Sequence, residues 1–553
     1  MTTSNHIQRL MNFPNKQNPY CNSAIGRIFL GGLMSASFLL HHSDPSFGAD
    51  NWWQFRGPRG DGSVRSTALI DQWNEIENIA WKTEIHDRGW SSPVVAGDHI
   101  WITTATRDGH KLYAVCVHRL TGKIVHDLHL FDVESPQKIT DENTYATPTP
   151  VVFKDRVILH FGTYGTACLD AMSGEVRWTR RDLNCDHEVN AGPASSPTII
   201  DNKLVVHVDG RDNQYIIALD PLTGDTAWKT PRSRDFNDIP VNQRKAFCMP
   251  FAFNSDGEEQ IVSPGGRAIY SYDLDGNERW RVEHRGFSVA PRPVYGGGMV
   301  YSLIDRDNPE LWAIRVNGSG NVTDTHVAWK EFRSMPQRCS PILIDGLLYL
   351  MNREGIASCL EAGTGELVWR ERLPGQFSAS PIYDQRHLYF FNEEGEAYLI
   401  PPGREFRIVR TNQLYPQKIL ATPAVDGNSL IVRTQNFLYR IEKGKTNPTP
   451  QLPRKPSTVN EEFVGKWDIG RDPNTGTVAF VMTLNGDGSA KKSHVPTSTG
   501  KWELVDGEVR VIWSEGWRDI IRRENGAYRK YAFGPGKDFD SPPSNSDTAH
   551  KQK

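Results

Sequence analysis

Cysteine is scarce in this 553-residue chain. The seven present include no Cys-x-x-Cys pair and no His/Cys cluster at zinc spacing, which excludes a structural zinc module or a dithiol redox motif. Charge of one sign is lacking as well: the formal net charge is −3 and no lysine- or arginine-rich run occurs. A nucleic-acid partner therefore has no electrostatic footprint here. Past residue 40 no apolar stretch is long enough for a membrane helix. A Ser-His-Asp signature, a phosphate-cradling glycine loop and a metalloprotease motif are also missing, so the common hydrolase and nucleotide-binding classes have no local support.

At the N-terminus, a basic stretch with Arg9, Lys16 and Arg27 precedes the apolar run Ile28 to Leu40 and the small-x-small triplet Ser46-Phe47-Gly48. That order reads as a secretory signal peptide over residues 1–49, too short to span a bilayer. The expected location is exported, periplasmic or extracellular, with no transmembrane segment left after processing.

One pattern organises the rest. It is clearest at Ala167-Cys168-Leu169-Asp170-Ala171-Met172-Ser173-Gly174-Glu175-Val176-Arg177-Trp178 and returns around Gly224, Gly365 and, loosely, Gly276. Each copy reads as a strand, a tight Asp/Thr-Gly turn and a second strand with a tryptophan four residues past the glycine. A second marker is a proline that opens a strand, followed seven residues later by an apolar residue. It falls at Pro93, Pro150, Pro197, Pro293, Pro341, Pro381 and Pro423, with Pro250 breaking the apolar rule at Gly257. Proline costs no ladder bond at a strand's first residue. Eight openings about 47 residues apart predict an all-β, eight-bladed β-propeller over residues 50–442.

The eighth blade has strands at Thr422–Val425, Ser429–Val432 and Phe437–Ile441 but no tryptophan strand, whereas Ile79-Ala80-Trp81-Lys82 is a surplus strand before the first blade. Pairing the two closes the ring and removes its open edge. Trp81, Trp178, Trp228, Trp280 and Trp369 are expected to dock neighbouring blades. Cys116, Cys168 and Cys359 occupy one equivalent position, six residues before a turn glycine, and read as buried thiols packing as small hydrophobes. A proline-rich linker follows at 443–460. A small antiparallel β-sheet or barrel of about six strands is expected at 461–534, then a disordered tail at 535–553.

The Asp-x-x-Thr-Gly-x-x-x-Trp turns resemble the pyrroloquinoline quinone (PQQ) repeat superfamily, which includes quinoprotein alcohol dehydrogenases and the propeller lipoprotein of outer-membrane protein assembly. The opening Trp52-Trp53-Gln54-Phe55-Arg56-Gly57-Pro58 is similar to that of exported PQQ-like propellers of planctomycete-type bacteria. The Gly-x-Trp strand starts at Gly465 and Gly500 faintly resemble a lipocalin-like barrel. The resemblance implies PQQ and a calcium ion over the ring's centre, with a carboxylate as base. The adjacent cysteine pair common beside the quinone in those enzymes is missing here, and no local motif places the calcium ligands or the base.

Propeller function concentrates in the loops between one blade's outer strand and the next blade's inner strand. Three such loops are long and polar. The first carries Asp141, Glu142 and Asn143. The second carries Asp186, His187, Glu188 and Asn190, and the third Arg244 and Lys245. They come from consecutive blades and should stand side by side, facing Arg292, Arg338 and Lys418 across the ring. Such a mouth suits a polar or anionic small ligand, or calcium through oxygen ligands. His187 reads as a surface histidine. Two functions compete: a binding or scaffold protein with a protein or small polar partner, and a PQQ- and calcium-dependent dehydrogenase of an alcohol or sugar. A hydrolase or lyase at the polar mouth is a third option that no residue singles out.

Overall fold

Each opening proline stands directly before an inner strand in the computed structural model, which describes residues 52–552 apart from 66–68, 141, 188–191, 448–461, 487, 506, 525, 538 and 540. Eight antiparallel sheets follow in sequence. The first blade, for example, runs Val94–Ala96, His99–Ala105, Lys111–His118 and Ile124–Asp132, from the inside of the ring outward. Pro250 departs from the spacing rule because its inner strand, Phe251–Ser255, has five residues where those of the first three blades have three. The hairpin turn therefore falls at Asp256 and Gly257, both with positive φ, as a two-residue hairpin turn requires. The same blade carries an extra short strand, Gly320–Asn321, parallel to Glu278–Glu283.

Ring closure is as the pattern predicts. Glu77–Glu84 pairs antiparallel with Phe437–Thr446, placing Trp81 opposite Arg440 and Thr83 opposite Leu438. The eighth sheet is thereby completed by the chain's own beginning. That last inner-to-outer strand continues to Thr446, so the propeller extends four residues past the expected boundary at 442.

Neighbouring blades are joined by one repeated contact. Trp81 Nε1 donates to Arg119 O at 3.0 Å, Trp178 to Pro221 O at 3.1 Å, Trp228 to Leu274 O at 3.0 Å, and Trp369 to Gly403 O at 3.0 Å. In each case the acceptor lies in the next blade, in the turn or loop that follows its third strand. The turn glycine is needed on two counts. Gly224 has φ +80°, and a Cβ there would lie 2.8 Å from the Trp178 ring, so only glycine admits both the left-handed backbone and the ring. Trp329, which has no Asp-x-x-Thr-Gly turn before it, makes the same bond to Ala362 O at 2.9 Å. Trp280 works through a relay: it donates to Gln260 Oε1, whose amide nitrogen donates to Val316 O in the following blade.

Residues 52–65 and 69–78 cross the hairpin ends of the inner strands. Trp52 O accepts from Val95 N, Trp53 O from Val152 N, Gly62 O from Tyr383 N, and Ile70 N donates to Asn428 O. The aromatic opening segment is thus a plug that ties the first, second, seventh and eighth blades together, with Trp52 fully buried. The six described cysteines are free and buried.

The C-terminal module is a closed barrel of eight strands, from Gly465–Arg471 to Asn545–Lys551. The expectation of about six strands ending at 534, and of a disordered tail from 535, is corrected on this point. Asn545–Lys551 pairs on one side with Gly465–Arg471 and on the other with Ala527–Phe533. It buries little beyond Ala549. A strand whose only inward anchor is one alanine has no apolar alternation to read, and both of its neighbours must be in place before it forms. The expected signal peptide, 1–49, and most of the expected linker, 448–460, lie outside the described residues.

Candidate functional site

The residue before each opening proline lies at the mouth end of its inner strand. Six of the eight, Ser92, Thr149, Ser196, Ser340, Ser380 and Thr422, carry hydroxyls. They link blade to blade: Ser92 N donates to Thr149 Oγ1 (3.0 Å), Thr149 N to Ser196 Oγ (2.9 Å), Arg292 N to Ser340 Oγ (3.0 Å), Ser340 N to Ser380 Oγ (2.9 Å) and Ser380 N to Thr422 Oγ1 (3.0 Å). At these five positions a backbone N–H that would otherwise be orphaned beside the channel is satisfied by the next blade. Met249 and Arg292 are the two positions without a hydroxyl.

Above this girdle lies a cavity of about 490 Å³ on the ring axis. Phe55 of the plug reaches it from one side, and Trp90, Phe247 and Met249 add apolar wall. Its charged rim is built by opposite sides of the ring. Glu142, from the loop between the first and second blades, takes one carboxylate oxygen to Arg338 and the other to Arg353 Nη1 at 3.0 Å. Both arginines belong to the far side, before and within the sixth blade. Arg338 is also held on its own side, donating to Ser378 Oγ at 3.1 Å, and Ser378 in turn donates to the buried Glu393 at 2.6 Å. The Glu142 carboxyl is held below the ordinary carboxylate range: burial works against ionisation, but Arg338 and Arg353, with Arg306 nearby, outweigh it.

The predicted site residues divide among several places. Glu142, Asn143 and Arg338 meet at the mouth. Asn143 anchors its loop, donating to Pro193 O at 3.3 Å and accepting from Thr147 at 2.5 Å. Asp141, Glu188 and Asn190 lie outside the described residues. Arg292 does not face the mouth. Its guanidinium is buried, stacks on Phe251 at 4.7 Å and reaches Arg59 O in the plug at 3.5 Å. Burial lowers its pKa to about 10. Arg244 turns to Ile239 O at 2.9 Å and does not line the cavity. Asp186 pairs with Arg211 at 3.0 Å.

His187 is not a surface histidine. It is 7% exposed, its Nε2 lies 3.2 Å from Cys185 Sγ, and its backbone N donates to Gln137 Oε1. With the buried Lys245 close by, desolvation and that cation lower its pKa to about 4. It lines a small cavity of about 20 Å³ between the second and third blades, together with Cys185, Ser195, His207 and Asp209.

That second cluster contains a serine, a histidine and an aspartate in contact order, yet its protons run the wrong way for hydrolysis. Ser195 Oγ is bonded to His207 Nε2 and also lies 2.7 Å from Cys248 O. A carbonyl can only accept, so the serine proton goes to Cys248 and His207 must donate to Ser195. Asp209 stands 3.7 Å from His207 Nδ1 and is taken by Arg232 through two bonds. A base that is itself the donor cannot activate the hydroxyl. The network is a satisfied polar core.

Calcium does not fit the mouth either. Glu142 is committed to two guanidiniums and Glu393 to Ser378 and Arg338. Among the described residues, moreover, no three His, Cys, Asp or Glu side chains converge on one point. A carboxylate already neutralised by arginine is a poor ligand for a hard cation. Trp90, Arg306 and Arg353 are absent from the sequence prediction because each sits in a short turn. The hydroxyl girdle was available as a pattern, since serine or threonine precedes six of the eight opening prolines.

Comparison with known proteins adds a family likeness. A repeat family described as outer membrane protein assembly factor BamB matches residues 135–247, 212–338 and 304–401. The outer membrane protein assembly factor BamB of Alkalilimnicola ehrlichii is 27% identical over 218 residues, 36% of this chain and 49% of that protein. The chain thus spans about half the length of this curated relative. Among solved structures, europium-containing methanol dehydrogenase aligns with 70% of this chain and 90% of its own at 11% identity and TM-score 0.50. BamB from Moraxella catarrhalis aligns with 66% and 99% at 13% identity and TM-score 0.46. Identities this low speak to fold alone.

Proposed function

Because this chain belongs to the PQQ-like repeat propellers and is similar to an outer membrane protein assembly factor, we propose that it is an exported binding or scaffold protein that engages a protein partner through the loops at its channel mouth. One observation carries this reading. The mouth is a cavity of about 490 Å³ lined from all sides of the ring, with apolar walls and a charged rim on which Glu142 is paired with Arg338 and Arg353. Such a site is equipped to recognise a ligand that carries both apolar and charged surface. Export rests on the N-terminal basic–apolar–small order, and a role in envelope protein assembly rests on the named relative. No helix among the described residues is long and apolar enough to cross a membrane.

A photo-crosslinking residue at Gln337, on the mouth, should capture a partner in intact cells, whereas the same residue at Asp256, in the inner-strand hairpin turn at the opposite end of the fourth blade, should not. Equal capture, or none at the mouth, would remove the proposal. The quinone-dependent reading has no structural observation in its favour. Calorimetric titration of the protein with PQQ in the presence of calcium should show no saturable binding.

A further inference from the structure

Glu142 sits where a ligand's carboxylate would sit. It comes from a peptide loop on one side of the ring, crosses the rim of the cavity, and is gripped by two arginines from the opposite side, 196 and 211 positions along the chain. Arg338 does not depend on that grip for its position, since Ser378 and Glu393 hold it from its own side. Arg353 Nε is buried without a partner, so the cationic side of the mouth retains unused donor capacity even with Glu142 in place. The loop's Thr140, Asn143 and Thr147 line the same cavity, so a carboxylate and its neighbours on one peptide already share this wall.

From this geometry we infer that the mouth is a receptor for an acidic peptide segment, and that Glu142 is its built-in competitor, a latch that a partner's glutamate or aspartate displaces. This deepens the mouth-binding reading above and rests on it. A peptide is favoured over a free small acid because the present occupant is a side chain on a peptide whose neighbours share the walls. The aromatic surfaces of Trp90 and Phe247 in the same cavity wall would cover the apolar part of the segment, while the two guanidiniums fix its carboxylate. The exchange is of one ion pair for another and forms no covalent bond. An intramolecular competitor acts at an effective concentration on the order of millimolar. Removing it should therefore raise affinity for an external acidic peptide severalfold or more.

The probe is the synthetic peptide Lys-Ile-Thr-Asp-Glu-Asn-Thr-Tyr, the sequence of residues 138–145, titrated calorimetrically into the full-length protein. Glu142→Ala and Glu142→Gln should both bind it about tenfold or more tightly than wild type, and adding Arg338→Gln should abolish the gain. A peptide with Asn and Gln in place of its Asp and Glu should bind no variant. Glu142→Gln keeps the loop's shape, so a folding defect in Glu142→Ala leaves the test intact. Equal affinity of wild type and both variants would overturn the latch. Binding that survives Arg338→Gln would overturn the arginine receptor. Uptake of glutarate but not of the peptide would overturn the assignment to a peptide. Should the peptide fail while crosslinking at Gln337 still captures a partner, this inference falls and the mouth-binding reading stands. A mouth that captures no partner sinks that reading even if the peptide binds.

Discussion

At the scale of single residues, burial decides which side chains are chemically usable. His187, which the sequence presents as a surface histidine, and His160 are both buried, and desolvation lowers their pKa values to about 4 and about 3, against about 6.5 for an exposed imidazole. Above about pH 6.5 neither folded nor unfolded chain is protonated at these sites, and they contribute no pH dependence. As pH falls below that, the unfolded chain binds protons the fold refuses. Stability is then lost at about 1.4 kcal/mol per pH unit for each histidine until the folded-state value is reached. His187→Gln should remove one histidine's share. Thermal midpoints measured from pH 7 to pH 4.5 should fall less steeply for this variant than for wild type, and parallel curves would contradict the burial account. Lys245, beside His187, follows the same logic at higher pH: desolvation first, then Arg211, lowers it to about 8.

Between elements, the unit of cohesion is a tryptophan laid on the next blade's turn glycine. Gly224→Ala should therefore suffer twice, from a left-handed backbone that costs alanine about 1–2 kcal/mol and from a Cβ placed 2.8 Å from the Trp178 ring. Gly427 has a similar φ of +61° but nothing within 4 Å of a Cβ, so Gly427→Ala carries the backbone term alone. We expect Gly224→Ala to be the more destabilising by about 1 kcal/mol or more, with a shift in tryptophan fluorescence that Gly427→Ala does not show. Equal melting temperatures would mean that the docking contact is dispensable.

Across the whole molecule, the ring is held at one joint by hydrogen bonds without chain continuity. Trp81 and Trp369 are equally buried, each 8% exposed, and each makes one indole bond of 3.0 Å to the following blade. Replacing either by alanine should cost about 3–5 kcal/mol locally. Only Trp81→Ala acts on the closing strand, whose release would uncover a sheet edge. Amide hydrogen exchange should therefore accelerate across both 77–84 and 437–446 in Trp81→Ala, and around the substituted blade alone in Trp369→Ala. Exchange confined to residue 81's own strand would argue against closure as a cooperative joint. Arg433 reinforces the same joint from within, donating to Ser91 and Thr103 of the first blade from a buried position in the eighth.

The blade count, the strand order within each blade and the closing role of Trp81 were all determined by sequence alone, because local turn chemistry and strand alternation repeat at fixed spacing and each copy is readable without its neighbours. Three features were decided only by tertiary structure. Glu142 was legible as a polar loop residue and Arg338 as a cation across the ring, but their meeting depends on the circular arrangement of blades. Arg292 was misread because the rotamer that carries it toward Phe251 and the plug is set by packing. The final barrel strand, Asn545–Lys551, carries almost no pattern of its own and exists because both neighbours offer it hydrogen bonds. Contacts between residues hundreds of positions apart leave no periodic trace in a chain, and in this protein the binding mouth is made of such contacts.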